Sequence, residues 1–140
     1  MDLSQAEADA LLAMEKVVAD SEAHEFPGIA RGVTIPLLSK DKREEFFLDI
    51  SRGRIDLGKV TYQNRGRRIV ILARLDIAGP PHTNPDGERV ECPHLHLYRE
   101  GYADKWAFQI PQEFSNMTDL WTTLEDFMSY CNITEPPRIQ

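Results

Sequence analysis

Arg68-Ile69-Val70-Ile71-Leu72-Ala73-Arg74-Leu75-Asp76-Ile77-Ala78 is the clearest strand in the chain, rich in β-branched and aliphatic residues. Successive side chains of a strand point to opposite faces. The pattern therefore places Ile69, Ile71, Ala73, Leu75 and Ile77 on one face and Val70, Leu72, Arg74 and Asp76 on the other. Upstream, Lys59 to Gln63 reads as a shorter strand. Asn64-Arg65-Gly66 forms a hairpin loop after it, with Gly66 at the positive-φ position. Before that, Phe46, Leu48 and Ile50 alternate with Glu45, Phe47 and Asp49 in a run ending at Ser51-Arg52-Gly53-Arg54. Downstream, Cys92 to Arg99 and Trp106 to Ile110 make the fourth and fifth strands.

The two ends read as helices. Ser4 and Glu7 have capping-box spacing, and Leu3, Ala10, Leu11, Met14, Val17 and Val18 recur at helical intervals, so the first helix extends towards Glu25-Phe26-Pro27-Gly28. Ile29 to Lys40 mixes Gly, Thr and Pro without a period and reads as a loop or short strand. Near the C-terminus, Asn116 offers a cap, and Leu120, Leu124, Phe127, Met128 and Cys131 form a buried stripe. Thr134-Glu135-Pro136-Pro137 does not continue the helix. The expectation is one α+β domain over residues 1–140: helix in 1–25, a five-stranded antiparallel meander in 44–110, and a helix in 116–131, with the helices covering one sheet face.

Composition bounds the function. A chain of 140 residues is one domain at roughly 100–200 residues per domain. With 16 Lys+Arg against 23 Asp+Glu, its net charge is -7, which argues against non-specific wrapping of DNA. No apolar run approaches the ~18 residues of a membrane span, and Met1-Asp2-Leu3-Ser4-Gln5 lacks the basic start of a signal peptide. Two distant cysteines, Cys92 and Cys131, form no disulfide framework. These features point to a reduced, cytoplasmic protein and leave its oligomeric state open.

Three of the four histidines fall within 15 residues: His82 in H-T-N-P-D-G, and His94 and His96 in C-P-H-L-H-L-Y-R-E. On a strand, Cys92, His94, His96, Tyr98 and Glu100 share a face, while Leu95 and Leu97 point to the core. The stretch from Gly79 to Glu91, which follows the third strand and carries His82, is long for a loop, and such loops are usually functional or disordered.

Two chemistries follow from that cluster. The first is metal-independent phosphodiester cleavage by a ribonuclease- or phosphodiesterase-like protein. His94 and His96 transfer protons, His82 assists from the loop, Arg74 and Tyr98 complete the catalytic set, and Asp76 orients an imidazole. Lys59, Arg65, Arg67 and Arg68, in a segment free of acids, hold phosphate. This reading needs no cofactor and takes RNA or a nucleotide as substrate. The second is a metal site, with zinc on His94, His96 and His82 and with Cys92 or Asp86 completing the set. A third reading, an acidic interaction module such as an antitoxin or an inhibitor, rests on the acids of both helices and implies a protein partner. The plain alternative is a solvated histidine face beside a basic hairpin tip, with Asn84-Pro85-Asp86-Gly87 serving only as a turn.

Known motifs bear on this only in part. H-L-H-L-Y-R-E resembles half of the cupin metal motif, but the glycine expected six residues after Glu100 and a second histidine motif are missing. The H-x-T/S pairs of two-histidine phosphoesterases are absent, and the likeness to small RNA-cleaving toxins is one of style. K-V-T-Y-Q-N-R, A-R-L-D-I, H-T-N-P-D-G and P-H-L-H-L-Y-R-E-G-Y together resemble a small uncharacterised bacterial, prophage-associated family over about residues 44–132. That resemblance implies an accessory protein of phage defence or a toxin–antitoxin pair and assigns no catalytic residue.

Overall fold

The structure, a computed structural model, describes residues 1–54 and 58–140. It is an α+β fold of two helices and a large sheet. In chain order the elements are α1 (Gln5–Ala13), β1 (Lys16–Val18), β2 (Ala23–His24), β3 (Gly32–Ser39), β4 (Glu45–Arg52), β5 (Val60–Gly66) and β6 (Val70–Asp76). They continue with β7 (His82–Thr83), β8 (Arg89–Val90), β9 (His94–Leu97), β10 (Ala107–Gln109), α2 (Leu120–Tyr130), β11 (Ile133–Glu135) and β12 (Arg138–Ile139). Eight strands form the main sheet in the order β10-β9-β6-β5-β4-β3-β1-β11. Within this sheet every pairing is antiparallel except β1 with β11. The five-stranded meander is thus the middle and one end of a wider sheet. No helix among the described residues is long and apolar enough to cross a membrane.

The first helix is shorter than its periodicity implies. The capping box forms, with Ser4 Oγ accepting from Glu7 N and Glu7 Oε1 from Ser4 N. Met14, however, takes an extended backbone and ends α1. Lys16 explains how the helix stops without orphaned carbonyls: its ammonium donates to Leu12 O (2.8 Å) and Met14 O (2.9 Å), and to Cys131 O (2.7 Å). Val17 and Val18, which mimic a helical stripe, lie in β1 against Leu38 and Leu37 of β3. The segment before Lys40, read as a loop or short strand, is the eight-residue strand β3. In α2 the cap is Asp119, which accepts from Trp121 N, while Asn116 closes a turn ahead of it.

Both helices pack on one sheet face. Ala8 and Leu11 of α1, and Leu124, Phe127 and Met128 of α2, join Leu37, Phe46, Leu48, Ile50 and Leu75 in one core. A bulge decides which β6 residues belong to it. Asn64 pairs with Ala73 and Arg65 with Ile71, so Leu72 is the extra residue. Val70, Leu72, Ala73 and Leu75 are all buried as a result. This corrects the strict alternation expected for the strand, because one added residue flips the face. Gly66 is also reassigned. It ends β5, and a Cβ there would meet Leu72 Cδ1 at 3.1 Å and Phe46 Cε1 at 3.5 Å. The positive φ values of the turn fall on Arg67 (49°) and Arg68 (67°) instead.

The other face is polar. Two rows cross it by register: Thr34–Asp49–Gln63–Arg74–His96, and Ser51–Thr61–Asp76–His94. In the first, Asp49 accepts from Thr34 Oγ1 (2.7 Å) and Gln63 Nε2 (2.8 Å). In the second, Asp76 Oδ1 accepts from Thr61 Oγ1 at 3.1 Å. Both rows run into the histidine pair of β9.

Candidate metal centre

The register Arg74↔His96 and Asp76↔His94 brings an arginine, a carboxylate and two imidazoles together on the polar face. Both rings are buried, at 2% and 1% exposure. They lie at the base of a cleft of about 380 Å³ lined also by Lys59, Thr61, Pro81, His82 and Cys92.

Two connecting segments border the histidine pair. The long stretch after β6 is a hairpin of β7 and β8, turned at Asn84 to Glu88 by Asn84 N→Glu88 O and Gly87 N→Asn84 O, both 2.8 Å. Asp86 is spent in this turn, accepting from Glu88 N. The buried Asn84 side chain docks the hairpin on β10, giving Nδ2 to Ala107 O (3.0 Å) and taking Ala107 N on Oδ1 (2.8 Å). Asn84→Ala is therefore expected to cost about 2 kcal/mol, since it orphans a buried N–H and C=O. Faster hydrogen exchange at Ala107 would report it, and unchanged exchange would refute the docking role. The second segment, the turn after β9, supplies the carbonyls of Asp104 and Lys105 and the Asp104 carboxylate.

Those carbonyls set the proton positions. A carbonyl only accepts, so His94 Nδ1 donates to Glu91 O (3.3 Å) and His96 Nδ1 donates to Asp104 O (2.8 Å). This leaves both Nε2 atoms facing inward, each 3.2 Å from the same oxygen, Asp76 Oδ2. Arg74 donates from NH2 to His96 Nε2 at 3.0 Å, an arrangement that requires a lone pair on that nitrogen. His96 is thus the neutral Nδ1–H tautomer, and it turns its lone pair towards a carboxylate. His82 is fixed in the opposite sense: Nε2 donates to Lys105 O at 2.7 Å. Its ring lies 4.7 Å from that of His96 and 6.0 Å from that of His94.

Charge in the cleft is held tightly. Burial pushes the Asp76 carboxyl up, but the charge of Arg74 beside it pulls the other way and holds the group below the usual carboxylate range. Arg74 also reaches Asp104 Oδ2 at 2.7 Å and lies 3.3 Å from Asp76 Oδ1. Burial, and then the Asp76 charge, push the Cys92 thiol up, so it is not a ready thiolate. Cys92 Sγ stands 3.6 Å from His94 Nδ1.

The structure brings His82, His94, His96, Arg74, Asp76, Cys92 and Lys59 to one cleft. It places the other expected residues elsewhere. Arg65 pairs with Asp49, Arg67 with Glu44 and Arg68 with Glu45, around the β5–β6 hairpin. Tyr98 and Glu100 leave the histidine face once β9 ends. The Tyr98 hydroxyl takes Leu3 N and gives to Leu3 O, both at 2.8 Å, and Glu100 accepts from Gln5 N at 2.7 Å, so both residues anchor the start of α1. Asp86 stays in its turn. Asp104 is the residue that sequence reasoning missed, because a loop acid acquires a role only when folding sets it against Arg74.

Asp76, His94 and His96 together form a set that could hold a metal ion, with one donor atom from each and all three within 4.8 Å of one another. Tetrahedral zinc with bonds of about 2.0–2.2 Å separates its ligand atoms by about 3.3 Å, and the two carboxylate–imidazole distances here are 3.2 Å.

One family model matches the chain, over residues 3–133: the Family of unknown function (DUF6978). No curated protein and no solved structure matches it.

Proposed function

We propose that this chain, which belongs to the DUF6978 family of unknown function, is a metal-dependent hydrolytic protein. Its centre is a zinc-class ion on Asp76 Oδ2, His94 Nε2 and His96 Nε2. The observation that carries this reading is the convergence of His94 Nε2 and His96 Nε2 on one ionised carboxylate oxygen, each at 3.2 Å, with no proton on His96 Nε2 to bridge its side of the pair. The His96 lone pair and the carboxylate oxygen so placed repel one another, and a cation between them, displacing any proton from His94 Nε2, relieves that repulsion.

The surrounding contacts are those expected of outer-shell support. Backbone carbonyls hold both Nδ1–H groups and aim both rings. Thr61 fixes the second Asp76 oxygen, leaving Oδ2 as a monodentate donor. Loading the ion costs the Arg74–His96 contact, but Arg74 keeps Asp104 and Asp76 as partners. Three protein ligands leave a fourth position open, the hallmark of a catalytic rather than a structural site. A bound ion there lowers the pKa of a coordinated water to near neutrality. With its Nε2 proton given to Lys105 O, His82 keeps a lone pair on Nδ1 in the same cleft and would take the water's proton.

Zinc binding tests the reading directly. Apo protein titrated with zinc is expected to take up one equivalent, and His94→Ala to weaken uptake at least ~100-fold, since one of three ligands is gone. Equal uptake by both proteins, or none by the wild type, would overturn the proposal. A metal-free protein with His-dependent phosphodiesterase activity would instead support histidine acid–base catalysis.

A further inference from the structure

Resting on that metal-centre reading, we infer that the substrate is a small phosphate monoester, and that Lys59 is the residue that binds its phosphate beside the ion. Lys59 precedes β5 and lines the same cleft as Thr61, Asp76, His94 and His96. Its side-chain carbons run past Gly79, with Cε 3.7 Å from where a Cβ would stand. Its charge is felt at Cys92, next to His94.

Each arginine of the basic segment has an acid: Arg65 has Asp49, Arg67 has Glu44, Arg68 has Glu45, and Arg74 has both Asp76 and Asp104. No ion pair among the described residues engages Lys59. Of the cations once assigned to phosphate, it is the one that reaches the cleft with its charge uncommitted.

Charge then selects the substrate. Arg74 and Asp104 cancel, and His94 and His96 add no charge as ligands of the ion. A divalent ion on a single carboxylate leaves one positive charge, and Lys59 adds a second. A carboxylate substrate supplies one negative charge, whereas a phosphate monoester carries close to two at neutral pH. The cleft, at about 380 Å³, lies near the small end of ligand pockets. It suits a phosphorylated small molecule or the phosphorylated end of a nucleotide. In the hydrolysis, the water oxygen bonds to phosphorus and the ester P–O bond breaks. One water proton passes through His82 to the departing alkoxide, giving the alcohol, and the other stays on the released hydrogen phosphate.

The test uses full-length protein loaded with zinc and freed of excess metal, with inorganic phosphate as probe and acetate as the monoanionic control. Wild type is expected to bind phosphate at least ~10-fold more tightly than acetate. Lys59→Met is expected to weaken phosphate binding at least ~10-fold while zinc affinity stays unchanged, and Lys59→Arg to restore most of it. Equal phosphate affinity in wild type and Lys59→Met, or acetate binding as tightly as phosphate, would overturn the inference and leave the metal centre standing. Failure of the wild type to bind zinc would remove the metal centre and this inference with it.

Discussion

Asp76→Asn is expected to abolish the rise in melting temperature that zinc gives the wild-type protein. An ion that binds only the folded state stabilises it by RT ln(1 + [L]/Kd), about 2.7 kcal/mol at one hundred times Kd. For a domain of this size that is roughly 10 °C. The amide keeps the shape of the carboxylate but removes its charge, and so removes the one anionic donor of the set. Arg74 retains Asp104 at 2.7 Å, so the variant is expected to fold. Thermal melts of both proteins with and without zinc give the answer. A full zinc-dependent rise in Asp76→Asn would show that Asp76 is not a ligand. Asp76→Glu, which restores the charge, guards against reading a folding defect as lost binding.

The second large effect lies on the other side of the sheet. Lys16 is completely buried. Its ammonium donates to three carbonyls and sits 4.8 Å over the Phe46 ring. Lys16→Ala is expected to cost about 3–5 kcal/mol, combining a cavity with carbonyls that lose their donor. Lys16→Met keeps the stem and loses only the hydrogen bonds and the charge.

The two substitutions also differ from wild type in their response to pH. Burial lowers the Lys16 pKa to about 8, against the ordinary value near 10.4. Between those values the unfolded chain holds a proton that the folded one has lost. Stability contributed at this site therefore rises with pH across that window, by at most about 3 kcal/mol. The buried Cys131 works in the opposite direction, because burial pushes its thiol up to about 12 while the unfolded thiol ionises near 8.5. The Lys16 contribution is read as the difference between wild type and Lys16→Met, in which Cys131 largely cancels. A difference that stays constant from pH 7 to 10 would show that Lys16 is charged throughout.

The uncovered polar face accounts for why the candidate site lies where it does. One side of the sheet is sealed by α1 and α2, with Tyr62, Phe127 and Leu124 among its most buried residues. The other carries rows of hydrogen-bonded polar side chains that hold His94 and His96 in place while leaving the cleft open. Rigidity at a site comes from such support as much as from the donor atoms themselves.

The sequence alone carried the local signals. Alternation in Val70–Asp76 and His94–Leu97 marked two central strands, because a period of two is a property of the backbone. Ser4 and Glu7 marked the helix start, since capping depends on residues three apart. The H-x-H spacing put two imidazoles on one face for the same reason. What it did not carry were features that depend on distant partners. Val17 and Val18 fit a helical period and a strand equally well, and only pairing with Leu38 and Leu37 of β3 decides between them. The bulge at Leu72 is invisible locally, yet it moves two side chains from the polar face into the core. Arg65, Arg67 and Arg68 read as a free basic cluster until β4 and the residue just before it supply an acid for each. Asp76 becomes a donor beside His94 and His96 only when β6 and β9 pair, and Asp104 reaches Arg74 only when the turn after β9 folds back. Tertiary structure decides these because each is a contact across the fold, which residue type and spacing do not encode.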